Sequence, residues 1–339
     1  MFCIVAHHYV VNSGIIKEIT PEKAVSARSL FALIFGWGGK TGINCFVLIT
    51  GYFMCRSTIS LRKFLKLLLE IEFYKIVVWL IFLLSGYTSF TFKSTLKAIL
   101  PIYGIGTGFI GSYLCFFLFI PYLNLLIYAM NEQQHQILIG LCIGIGTVLQ
   151  TFLKAPAAFT YVGWFMVCYL IAAYIRIYPN ELFDNSKVWR NATWICLFFS
   201  WCSVVFGALI YHKYGKAVYY YFVSDSNKLL AIMTAVSAFL FFKNMKMKYH
   251  PVINKVAAST FGVLMIHANS DTMRQWLWRD VLKNTSAFHN SFFVIHAFGS
   301  VLAVYCICTV IDMVRIVVFE KPFFKWFDRR KLGLKGIQS

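Results

Sequence analysis

The chain has 339 residues, of which 59% are hydrophobic and 13% charged, with a mean hydropathy of +0.68 and a formal net charge of +19. A soluble domain carries about a quarter charged residues, so this composition excludes one and describes an integral membrane protein. The basic residues lie between apolar runs, where they suit topology and anionic lipid headgroups, so membrane lipids are expected partners and nucleic acid is not.

The apolar runs are long and uniform, without the period-2 alternation of a transmembrane barrel. Lipid offers no partner to backbone N–H and C=O groups, so such runs must satisfy them internally as helices. The predicted fold class is therefore all-α, a polytopic bundle of ten membrane helices. Their limits fall near 1–12, 31–54, 64–86, 108–129, 136–153, 159–178, 192–211, 227–243, 252–270 and 291–319. Residues 1–319 form one membrane domain, and the basic, aromatic stretch 320–339 reads as a membrane-surface tail. The cysteines lie in or beside apolar segments with no metal-ligand spacing, so no metal is expected.

The first run, MFCIVAHHYVVN, falls short of the ~20 residues that cross a bilayer. It has neither the basic start nor the small-residue cleavage site of a signal peptide, and reads as the outer half of a spanning helix whose upstream half is absent from this chain. It carries His7 and His8, polar groups that hydrocarbon tolerates only beside a partner or a cavity. Neighbouring helical side chains diverge by about 100°, so only one of the two can face a given cavity.

The second run contains Lys40 in GWGGKTGINCFVLITGYFM, which lacks the spacing of a phosphate-binding loop. Its glycines permit close helix approach, and Lys40 is either an interfacial lysine or a cation lining a cavity. Arg62, Lys63 and Lys66 open the third run, as a topology signal or as a phosphate-binding cluster. Further along it, Glu72 and Lys75 are spaced to pair, whereas Glu70 and Glu72, two apart, do not share a helix face. His267 and Asn269 in STFGVLMIHAN offer a second polar wall opposite His8. His135, His212, His250 and His289 lie in connections or at helix ends and read as solvated, and His296 as packed.

Lys and Arg number 18 in one set of alternate connections and 12 in the other, which places the richer side, with both chain ends, in the cytoplasm.

Taken with their order and spacing, the pieces MFCIVAHHYVVNSG, GINCFVLITGYFM, SYLCFFLFIPYLNLLI, WFMVCYLIAAYIRIYP and STFGVLMIHAN resemble the acyltransferase family 3 of integral membrane proteins, which includes polysaccharide O-acetyltransferases. The resemblance implies transfer of an acetyl or other acyl group from acyl-CoA, with acetyl-CoA as cosubstrate and no metal. The acceptor would be a hydroxyl of a cell-surface or lipid-linked glycan, at the cell membrane of a bacterium. His8 then falls on the family's required histidine, acting as base or acyl carrier, with His7 beside it. The family's Arg would stand four residues ahead of Met1, outside this chain, so the functional face of the first helix is incomplete here.

The resemblance also carries Arg62 and Lys63, with Lys66, onto a basic CoA-binding motif, and His267 onto a late histidine. Lys40, Thr50, His267 and Asn269 would line the substrate cavity, Thr50 standing where the family more often has Ser. Two other readings share the composition: a transporter or flippase for a lipid-linked glycan, and a non-catalytic family member.

Overall fold

All ten apolar runs are helical in the computed structural model, which describes the chain apart from residues 101–104, 107, 154, 157, 158 and 336–339. In chain order the main helices are α1 (Phe2–Val11), α2 (Ala27–Gly36), α3 (Gly39–Met54), α4 (Leu61–Leu84), α5 (Gly108–Ala129) and α6 (Glu132–Ile143). They continue with α7 (Tyr161–Ile177), α8 (Ser186–Tyr214), α9 (Leu229–Lys243), α10 (Pro251–Ala258), α11 (Thr260–His267) and α12 (Phe293–Arg315). A π-helical turn, Ile316–Glu320, leads from α12 directly into α13 (Lys321–Lys335), so the basic tail prolongs the last membrane helix. No strand occurs among the described residues.

Local chemistry sets the helix starts. Ser26, Ser60 and Asn185 each accept a hydrogen bond from the backbone N–H three residues on, satisfying an otherwise orphaned donor. Asn131 and Gln134 form a reciprocal capping box that starts α6 at Glu132, earlier than its apolar run suggests. His135 thereby lies inside the helix, fully buried, with Nε2 3.0 Å from the carbonyl of Leu170. It is not solvated, as its position between apolar runs implied.

The second run is divided at Trp37 and Gly38 into α2 and α3, and α3 is central, packing against α1, α7 and α9. Small residues allow this. A Cβ on Gly51 would lie 2.9 Å from Cβ of Ala172 and 3.0 Å from Cα of Tyr169, so the α3–α7 approach depends on its absence. On the other face of the bundle α11 packs against α4 and α12. Outward-facing Leu84, Phe53, Ile295 and Leu302 are exposed, the apolar surface expected of a protein solvated by lipid.

Buried charge locks α4 to α12. The guanidinium of Arg315 reaches Asp312 at 2.8 Å, Glu320 at 3.0 Å and Glu70 at 3.1 Å, and Tyr74 donates to Asp312 at 2.7 Å. Arg315 thus gathers three carboxylates, hydrogen-bonding Asp312 and Glu320 and pairing with Glu70 across the two helices.

Candidate active site

Helix α1 is held between α2, α3 and α12, which fixes the directions of its two histidines. His7 turns toward α2 and α3. Its Nδ1 donates to the carbonyl of Gly36 at 2.6 Å, and its ring fills the space that a Cβ on Gly39 would need, 2.4 Å from Cγ. His8 turns the other way, to α11, where its Nδ1 lies 3.0 Å from Nε2 of His267.

Hydrogen-bond geometry decides how this pair is protonated. Nδ1 of the fully buried His267 lies 2.6 Å from the carbonyl of Val263, one turn earlier on the same helix. A carbonyl can only accept, so Nδ1 of His267 carries the proton. With both rings neutral, Nε2 of His267 holds a lone pair and Nδ1 of His8 must donate to it. That leaves Nε2 of His8 unprotonated and without a hydrogen-bond partner among the described residues. The chain Val263–His267–His8 thus presents one basic nitrogen.

His8 lines a cavity of about 330 Å³ between α1, α4, α5 and α11. Most of its wall is apolar, from residues such as Ile4, Ile71, Leu114 and Leu264, and its polar lining comes from His8, Glu72, Lys75, Asn269 and Arg274. Glu72 and Lys75 pair at 2.8 Å, as their spacing predicts, and Lys75 also donates to the carbonyl of Leu100 at 2.8 Å. Asn269 donates its amide to the carbonyl of Met265 at 3.0 Å. A small, mostly apolar pocket with a few converging polar groups is the usual form of a small-molecule site.

The other residues singled out in the sequence lie elsewhere. Lys40 donates to the Tyr161 hydroxyl, stands 3.9 Å from Asp225, and does not line the His8 cavity. Thr50 bonds the carbonyl of Phe46 and the hydroxyl of Tyr113. Arg62 and Lys66 sit one turn apart on α4 and face the C-terminal helix, Arg62 2.9 Å from Asp328 and Lys66 2.8 Å from Glu320. Lys63 is held by the Ser57 hydroxyl and, at 2.8 Å, the carbonyl of Thr58. Arg274 escapes a sequence reading, because in a polar connection it registers only as a topology charge.

A family model described as an acyltransferase domain, Acyl_transf_3, matches residues 1–313. Comparisons with curated proteins and with solved structures found no match. The matched span runs from α1 into α12 and takes in both halves of the His8–His267 pair. The chain is a membrane acyltransferase of family 3.

Proposed function

We propose that this protein moves an acetyl group from acetyl-CoA to a hydroxyl of a cell-surface or lipid-linked glycan, with His8 as general base. The observation that carries the reading is the His8–His267–Val263 chain ending at an Nε2 with no partner among the described residues, on a side chain that lines a partly open cavity. In the transfer, Nε2 of His8 accepts the proton of the acceptor hydroxyl as its oxygen attacks the thioester carbonyl. The C–S bond then breaks, and CoA leaves as the thiol after taking up that proton. As His8 becomes an imidazolium, its Nδ1–H stays bonded to His267, whose own Nδ1–H stays anchored on Val263, so the positive charge forms in a pre-arranged setting.

Arg62, Lys63 and Lys66 are the groups suited to CoA phosphates. The side chains of Arg62 and Lys66 are 56% and 54% exposed, and Arg62 can exchange the exposed carboxylate of Asp328 for phosphate at little cost, whereas Glu320, the partner of Lys66, is also held by Arg315. CoA is cytosolic, and the richer Lys/Arg side of the bundle is the side where these three residues lie. The His8 cavity sits toward the opposite end of α1, which suits an acceptor presented from outside.

The test is acetyl transfer from labelled acetyl-CoA to membrane glycan by purified protein, comparing wild type with His8→Ala at matched folded protein. Loss of a positioned base should lower the rate on the order of 10²- to 10⁴-fold. Transfer at the wild-type rate by His8→Ala would overturn the assignment.

A further inference from the structure

The polar lining of the His8 cavity is not charge-balanced. Lys75 is occupied, one contact going to Glu72 and another to the carbonyl of Leu100. Asn269 and His8 are neutral there. Arg274 is left as the surplus charge, since its carboxylate partner, Asp271 at 2.6 Å, does not line the cavity and has a fully exposed side chain. A contact to a solvated carboxylate is weak and easily surrendered. The Arg274 side chain is 34% exposed and its Nε donates to the carbonyl of Ser270 at 3.3 Å, which leaves the guanidinium's outer N–H groups to offer an entering anion charge-assisted hydrogen bonds.

We propose that the ligand of this cavity is an acidic saccharide, whose carboxylate or phosphate is held by Arg274 while a hydroxyl is presented to His8. The inference rests on the acyl-acceptor reading above and narrows it to anionic sugars. Arg274 stands in the connection just after α11, seven residues beyond His267, so one short segment carries both the group that orients the base and the group that orients the acceptor.

Binding tests this independently of acyl transfer. The probes are methyl glucoside, methyl glucuronide and glucose 1-phosphate, added to purified full-length protein in detergent, with dissociation constants read by saturation-transfer NMR. At least one of the two anionic probes is expected to bind about tenfold more tightly than the neutral glucoside. Whichever anion binds better identifies the group as carboxylate or phosphate. Arg274→Gln should erase the preference and leave glucoside binding unchanged, while Arg274→Lys, which keeps the charge, should retain it. Retention of the wild-type melting temperature by Arg274→Gln excludes general unfolding as the cause.

Equal binding of all three probes, or a preference that survives Arg274→Gln, would overturn the proposal. If the anion preference holds and no acetyl group is transferred to any glycan, the binding site stands and the acetyltransferase reading falls. If His8-dependent transfer proceeds and Arg274→Gln is without effect on binding, the converse follows.

Discussion

His8 and His267 lie 259 residues apart in the chain and 3.0 Å apart in space, and each does a different job. Only His8 lines the cavity. In the proposed mechanism His267 is a positioning residue, its Nε2 accepting the hydrogen bond from Nδ1–H of His8 and so fixing which nitrogen is basic. His267→Ala should therefore lower kcat on the order of 10- to 100-fold, a part of what a positioned base supplies, and leave the acceptor KM nearly unchanged. A purely structural role would instead show as less folded protein with normal kcat per molecule. His7 makes the opposite prediction. It is bonded to Gly36 and packed on Gly39, so His7→Ala should lower the melting temperature and leave kcat per folded molecule within about twofold of wild type. A kcat loss as deep as that of His8→Ala would show that His7 shares the chemistry. That two adjacent histidines must diverge is legible from helix geometry alone. Which of them meets a partner is not, because the partner is set by how α11 packs.

At the scale of elements, the geometry of the pair depends on α11, which is clamped between α4 and α12. Gly262 makes the clamp close: a Cβ there would stand 2.1 Å from Oδ1 and 2.2 Å from Cγ of Asp312. Asp312 cannot retreat cheaply, since Tyr74 and Arg315 hold it. Gly262→Ala should cost about 1–3 kcal/mol of stability and, by shifting α11, also reduce kcat. Arg315→Ala should be worse, about 3–5 kcal/mol, because it leaves the buried Glu70 and Asp312 without their cation and Glu320 with Lys66 alone. Thermal melting in detergent measures both, and equal melting of Arg315→Ala and wild type would deny the network any structural role. The helices themselves were legible, since a run of apolar residues is a local property and lipid forces it to be helical. The network was not. Asp312 and Arg315 stand three apart on α12, but Glu70 and Tyr74 join them only when two helices far apart in sequence are set side by side. His135 misleads for a related reason: a capping box outranks hydropathy in deciding where α6 begins.

For the whole molecule, the unequal distribution of Lys and Arg predicts which end of the bundle faces the cytoplasm. One end gathers the starts of α4 and α8, the ends of α3, α7, α9 and α12, and helix α13, with 18 of the basic residues; the other carries 12. Ion pairs neutralise several charges at the richer end, including Arg62–Asp328, Lys66–Glu320 and Lys243–Asp184. The positive-inside rule counts Lys and Arg and gives acidic residues little weight, so these pairs do not weaken the bias. The richer end should therefore be cytoplasmic, which puts Arg62, Lys63 and Lys66 within reach of CoA and the segment from Ala268 to Phe292, with Arg274, outside. A fluorescent protein fused to the C-terminus should be bright and alkaline phosphatase at the same place inactive, whereas phosphatase inserted between α4 and α5 should be active. The reverse pattern would invert the bundle. It would put the His8 cavity's end on the side of the cytosolic donor and the basic cluster outside, and no arrangement of these residues could then bring cytosolic CoA to Arg62.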